Sequence, residues 1–234
     1  MKKSQTNQMS QIAKNLRKIN HQILEIATGP PPTLVAVTKT RSIKEINEAI
    51  GLGIKSIGEN RVQEAEEKFQ KISKKVEKRL VGTLQSNKIK KAVSLFDSID
   101  SVGSYILAEK ISKHCQKIGK TQRILIQVNT SEESTKNGFL LSEKKEVLKC
   151  FSLRHLQIDG LMTIAPLAES QNRRKKAFQN LKSFFSILNK AVAPEKQVKE
   201  LSMGMSDDFL LAIKEGSTMI RVGTNIFGPR KTNA

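Results

Sequence analysis

Apolar residues at Ile12, Leu16, Ile19, Ile23 and Ile26 recur every three or four positions. This spacing predicts one face of an amphipathic helix, and "TGPPP" (28–32) ends it with a stiff connector. Beyond it the pattern alternates. Short apolar runs at 33–38, 54–58, 79–83, 97–102, 123–129, 157–163, 199–203 and 218–222 are separated by stretches of helical spacing. Two of those helices have readable ends. "SIKE" (42–45) is a capping box, in which Ser42 accepts from the backbone of Glu45 and Glu45 reaches back. Its helix packs Ile43, Ile46, Ala49 and Ile50 and stops near Gly51 and Gly53. "SDDFLLAIKEG" (206–216) opens with acids suited to a helix N-terminus and closes on Gly216. The longest outer helix, about 172–190, carries Phe178, Leu181, Phe184, Phe185 and Leu188 as its buried stripe.

Strands alternating with helices over 234 residues imply a parallel sheet covered by helices. About eight strands in one run point to an α/β fold: a single (β/α)8 TIM-type barrel with an added N-terminal helix. An open doubly wound sheet is the second arrangement. No composition break marks a further domain, so residues 1–32 read as helix and Pro-rich connector and 33–230 as the barrel. In such barrels the active groups gather at the C-terminal ends of the strands, and phosphate sites often follow strands seven and eight.

That address changes the reading of "LVAVTKTRS" (34–42). A lysine at the end of a buried strand ordinarily extends its ammonium group to water. At the C-terminal end of the first barrel strand, Lys39 is also a candidate functional amine. Near the other terminus, "ELSMGMSDDFLLAIKEGSTMIRVGTNIFGPR" (200–230) places small polar residues after the seventh and eighth strands. Ser206, Gly223 and Thr224, with Gly204, suit a phosphate cradle: closely approaching backbone N–H groups, hydroxyls and a helix start. No G-x-x-x-x-G-K-[ST] occurs, so this is not a nucleotide P-loop. Arg221 lies within the apolar strand "MIRVG", where a permanent cation needs a partner. One ligand answers both buried cations. A lysine whose pKa is lowered by burial and a nearby cation forms a Schiff base with an aldehyde. The aldehyde that also carries a phosphate and a polar ring is pyridoxal 5′-phosphate.

Composition narrows the alternatives. Forty-one Lys and Arg against 22 Asp and Glu give a net charge of +19, which favours anionic partners, nucleic acid included. The basic residues are spread along the chain, however, with clusters at 68–79, 88–91, 110–123 and 173–176. Aromatics make up 4% with no Trp, so stacking platforms for single strands are scarce. Solvated helix faces explain most of this charge, and nucleic-acid binding is the weaker expectation. Cys115 and Cys150 are far apart and the three histidines are unpaired, against a metal site. Both thiols are expected to be reduced and structural. No apolar stretch reaches the roughly 18 residues of a membrane span, and the N-terminus lacks a secretory h-region. The expected location is cytoplasmic.

The motifs "LVAVTKT" (34–40), "IGENRVQEAEEK" (57–68), "VGTLQSNKIK" (81–90), "IQVNTSEESTKNGF" (126–139), "IDGLMTIAP" (158–166) and "LSMGMSDDFLLAIKEGSTMIRVGTNIFGPR" (201–230) cover nearly the whole barrel. In them the chain resembles the pyridoxal phosphate homeostasis protein family, single-domain relatives of the alanine racemase N-terminal barrel. The resemblance implies that Lys39 is the Schiff-base lysine and that Asn60 lines the pocket beside the cofactor ring. It places Arg221 facing the pyridine nitrogen and Ser206, Gly223 and Thr224 on the phosphate, with Ser202 a further pocket residue. One departure stands out: before Gly82 the family commonly has aromatic–His–Phe, where this chain has Lys78, Arg79 and Leu80. The role of that histidine does not carry over, though the strand should survive.

Arg221 bears on mechanism. Arginine has donors and no acceptor, so it cannot keep a proton on a pyridine nitrogen as a carboxylate does in enzymes that use the ring as a deep electron sink. Racemisation wants a second base opposite Lys39, and the chain's one tyrosine, Tyr105, begins an expected outer helix. The expectation is therefore a carrier or buffer of pyridoxal phosphate with little or no catalysis, the expected clients being pyridoxal-dependent apo-enzymes and the expected state a monomer. A weak amino-acid racemase and a basic nucleic-acid-binding protein are the alternatives.

Overall fold

The computed structural model describes residues 9–229 apart from 73, 132, 134, 135 and 167–169. The first eight residues, parts of the 126–139 motif, and Arg230 at the end of the C-terminal motif lie outside the described residues. The strands are β1 (Thr33–Val37), β2 (Ser56–Glu59), β3 (Glu77–Leu80), β4 (Ser98–Val102), β5 (Gln122–Asn129), β6 (Phe139–Leu140), β7 (Leu156–Met162), β8 (Glu200–Ser202) and β9 (Met219–Val222). The helices between them are α1 (Gln11–Ile26), α2 (Ile43–Gly51), α3 (Val62–Phe69), α4 (Ile89–Leu95), α5 (Tyr105–Lys117), α6 (Lys144–Cys150), α7 (Gln171–Ala191), α8 (Phe209–Lys214) and α9 (Thr224–Phe227).

All ladder pairings are parallel. β1 pairs with β2 on one side and β9 on the other, and the β4–β5 pairing closes the ring. The result is a closed eight-stranded barrel rather than an open sheet. β6, a two-residue strand that periodicity does not reveal, adds to the edge of β5 outside that ring. The strand that departs from the familiar pattern, β3, pairs normally with β2 and β4.

Local chemistry explains the helix ends. Ser42 Oγ accepts from Glu45 N at 3.3 Å while Glu45 accepts from Ser42 N at 2.9 Å, completing the expected capping box. The acids at 207–208 stand at the helix N-terminus as expected: Asp208 is the residue before α8, and its carboxylate accepts from Met205 N at 2.6 Å. Helix α1 buries Ile12, Leu16, Ile19 and Ile23 and is tied to the barrel's last helix by Asn15 Nδ2 donating to Ile226 O at 2.9 Å. In α7, Phe178, Leu181, Phe184 and Leu188 are buried, whereas Phe185 is only partly so. Cys115 and Cys150 are free, buried thiols, and burial pushes Cys150 up to about 12.

Strand alternation sorts side chains between two cores. Ala36, Ile57, Leu80, Ile99, Ile126, Leu161, Leu201 and Ile220 face the helices in the large outer core. Val35, Leu125, Met162 and Met219 form a separate cluster, with Ile164 against it, inside the barrel. Below that apolar layer, near the strand starts, lies a floor of charges. Arg79, 2% exposed, donates to Glu77 (2.9 and 3.1 Å), Asp100 (3.3 Å) and Glu200 (3.3 and 3.4 Å). Arg123 extends the network to Glu77 and Asp159, both at 2.6 Å. Ser98 Oγ donates to Asp100 at 2.5 Å.

Candidate functional site at the barrel mouth

The parity that puts Val35 inside also puts Val37 on the interior side, while Thr38 is buried against Glu59 and Lys39 follows in the turn just beyond the strand. The same parity turns Asn60 inward at the end of β2 and Arg221 and Gly223 inward on β9. Register brings them together. Val37 is level with Gly58 on β2, and Ala36 is level with Val222 on β9, so the ends of β1, β2 and β9 that lead to Lys39, Asn60 and Gly223 lie side by side.

Two glycines permit this crowding. A Cβ on Gly82 would lie 2.3 Å from Asn60 O, so only glycine lets the β3 end approach the Asn60 backbone. At Gly223 a Cβ would meet Val37 O at 3.2 Å, which places the start of α9 hard against the strand leading to Lys39. Gly223 N donates to Ser206 Oγ at 3.3 Å, and Asn225 Nδ2 donates to Ser206 O at 2.8 Å. Ser206 and Gly223, with Thr224 next in the chain, thus form one turn cluster against the end of β1.

Arg221 is 4% exposed. Its guanidinium donates to Ser202 Oγ and to Thr163 O, each at 2.7 Å. Both partners are neutral. Thr163 Oγ1 in turn donates to Val128 O at 2.8 Å, which fixes that carbonyl's strand. Burial lowers the pKa of Arg221 to about 10, against the opposing fields of Asp100 and Asp208, so it remains a cation at neutral pH. Ser202, identified as a further pocket residue, has a definite position: it orients Arg221.

Residues around Lys39 that the sequence reading did not single out are also present. Thr38 Oγ1 donates to Glu59 at 2.6 Å. Lys68 Nζ donates to Thr38 O (2.7 Å), Glu59 (2.9 Å) and Glu64 (2.6 Å). Glu59 is fully buried and its carboxyl is held above the ordinary range, since burial outweighs the bonds from Thr38 and Lys68. Arg41 donates to the carbonyls of Phe227, Gly228 and Pro229 at the end of α9 and lies over the Phe227 ring at 5.6 Å. The segment after Lys39 is therefore tethered to the helix whose first turn carries Thr224. The motifs "TKTR" and "IGENRVQEAEEK" contained these residues, but only pairing across strands reveals their task. Tyr105 begins α5 and packs partly buried against the outer core, away from the barrel interior.

Comparison with known proteins agrees with this architecture. Residues 8–231 match the family described as alanine racemase, N-terminal domain. A pyridoxal phosphate homeostasis protein of Synechocystis sp. is 39% identical over 209 residues, spanning 88% of this chain and 95% of its own. One from Escherichia coli K12 is 36% identical over 233 residues, spanning 95% and 98%. The structure of PipY from Synechococcus elongatus with PLP bound superimposes with a TM-score of 0.84 at 37% identity, covering 93% of this chain and all of that one. An alanine racemase of Clostridium difficile, at 17% identity and TM-score 0.74, shares the fold over 58% of its length. By sequence and by fold, the chain belongs to the pyridoxal phosphate homeostasis protein family, within the group defined by the alanine racemase N-terminal domain.

Proposed function

We propose that this protein binds pyridoxal 5′-phosphate at the barrel mouth, holds it on Lys39, and serves inside the cell as a carrier or buffer of the cofactor rather than as a catalyst. The observation that carries the reading is Arg221: a buried cation whose side-chain hydrogen bonds, among the described residues, go to the neutral Ser202 and Thr163 O, on the strand that pairs with the one leading to Lys39. The residues fit the group. Arginine offers donors to an unprotonated ring nitrogen and no acceptor to hold a proton there. The turn of Ser206, Gly223 and Thr224 would offer hydroxyls and amides to a phosphate, and Asn60, at the end of β2, would line the pocket beside the ring. Relatives named as homeostasis proteins and the PLP-bound PipY structure support the assignment.

Each side chain then has a defined task. Lys39 would supply the primary amine that holds the cofactor through its aldehyde. Ser202 and Thr163 fix the guanidinium plane, and Arg41 keeps the phosphate turn and the lysine in register. When bound, the cofactor supplies an electrophilic aldehyde and a conjugated ring. A ring facing arginine is a shallow electron sink, and Tyr105, on the outer layer, offers no base opposite Lys39. Holding and release are what remains, with pyridoxal-dependent apo-enzymes as recipients.

The test is an absorption spectrum of the protein with added pyridoxal phosphate, then borohydride reduction and peptide mapping. A yellow band with the reduced adduct on Lys39 is expected, and Lys39→Ala should lose that adduct. A wild-type protein that stays colourless refutes the reading. Exchange of an amino acid's α-proton that depends on Lys39 would instead make it a racemase-type enzyme.

A further inference from the structure

Lys39 lies inside a tight turn. Arg41 N donates to Thr38 O at 3.0 Å, making Lys39 and Thr40 the two central residues. Thr40 has φ 63°, the one non-glycine residue with positive φ among the described residues. That third turn position normally takes Gly or Asn, and a β-branched residue is a clear outlier there. Such strain persists only where surrounding structure over-determines it.

The surrounding structure here is one charge cluster. Glu64 Oε1 accepts from Thr40 N at 2.5 Å and from Lys68 Nζ at 2.6 Å. Lys68 also binds Thr38 O, and Thr38 Oγ1 binds Glu59, the last residue of β2. Both peptide neighbours of Lys39 are thereby tied to α3 and β2. Glu64 is held below the ordinary carboxylate range: burial alone would raise it, but the bonds from Lys68 and Thr40 N–H outweigh burial. It is an anion throughout the neutral range.

We infer that Glu64, braced by Lys68 and Glu59, is a positioning residue for Lys39: it pins Thr40 in the left-handed conformation and so aims the amine into the barrel mouth. The inference rests on the assignment of Lys39 as the cofactor lysine. A glycine at position 40 would adopt the turn without strain but would leave other conformations open. A threonine locked by a carboxylate gives a stiffer turn.

The test compares Glu64→Ala, Thr40→Gly and the double variant. In the cofactor-free protein, Glu64→Ala should speed hydrogen exchange at the Thr40 amide about tenfold, equal to ~1.4 kcal/mol. With added pyridoxal phosphate it should slow Schiff-base formation by a similar factor. Adding Thr40→Gly should restore most of that rate, because glycine takes the turn unaided, whereas loss of a mere surface ion pair would not be rescued this way. Should Glu64→Ala fail to fold, Glu64→Gln serves: it keeps an acceptor for Thr40 N–H and should retain both protection and rate. Unchanged exchange, an unchanged rate, or a double variant no faster than Glu64→Ala overturns the inference, as does a Glu64→Gln that loses both. A wild-type protein that takes up no cofactor refutes the Lys39 assignment instead, and the exchange measurement still decides whether Glu64 holds the turn.

Discussion

Arg79 and Arg221 are both buried within the same barrel, and their direct partners differ in kind. Around Arg79 stand Glu77, Asp100 and Glu200. Burial disfavours its charge, yet those three carboxylates outweigh burial and hold its pKa above the ordinary arginine value. Around Arg221 the direct partners are a hydroxyl and a carbonyl, and burial prevails. The floor is a closed electrostatic account within the protein. At Arg221 no carboxylate among the described residues makes a hydrogen bond to the guanidinium, which is the ground for proposing a polar ligand there. Charge burial alone thus does not mark a site; the absence of a matched counter-charge in direct contact does.

Substitutions can break that comparison, the largest effect being expected at the floor. Arg79→Leu strands three carboxylates and should destabilise the protein by roughly 3–5 kcal/mol, read as a lowered denaturant midpoint, without abolishing cofactor uptake by the fraction that remains folded. The pH dependence fixes the cause. Burial already raises Asp100 and Glu200 in the wild type, against the lowering influence of Arg79. Removing Arg79 raises them further, so the folded state binds protons that the unfolded state has released. Stability of the variant should therefore fall as pH rises from the unfolded carboxylate range near 4 through the higher folded pKa values, and should recover as pH is lowered from neutral toward 5. A loss independent of pH would point to packing instead. In the wild type Glu64 and Glu77 act oppositely: their pKa values are lowered, so their contribution is present above about 4.5 and fades as pH falls through the folded values.

At the mouth, Arg221→Met should reverse the pattern. Loss of a charged hydrogen bond, on the order of 1.5–3 kcal/mol, should weaken pyridoxal phosphate binding by roughly 10- to 100-fold in a fluorescence titration. The apo protein's thermal midpoint should move less than in Arg79→Leu. Equal losses of stability in the two variants would erase the distinction drawn between them. The smallest effect is expected at the rim of the floor. Arg123 is about one-third exposed and its pairs with Glu77 and Asp159 are partly wet, so Arg123→Met should cost no more than ~1 kcal/mol in a denaturation curve.

The floor also shows why part of this molecule was not legible beforehand. Arg79 stands where relatives commonly carry histidine, and its flanking residues gave no hint of its partners. They lie 2, 21 and 121 positions away, and only barrel closure assembles them. Lys68, Glu64 and Arg41 were hidden for a related reason. On a helix or in a loop they look like solvated charges, and their task appears only once α3 and α9 pack beside the end of β1. The acids at 207–208 marked a helix start, and Asp208 does precede α8, but its bond to Met205 N could not be read from the sequence.

What the chain encodes locally it encoded plainly: the short apolar runs that become the eight barrel strands, the three-to-four spacing that makes the helices between them, and the capping box at Ser42. These follow from steric preferences and burial within short windows. Tertiary structure alone decided which charges meet, that Arg79 is neutralised and Arg221 is not, and that a strained threonine is held beside Lys39. Those outcomes depend on register and closure between strands far apart in sequence, where differences of an ångström determine whether a buried charge finds its partner.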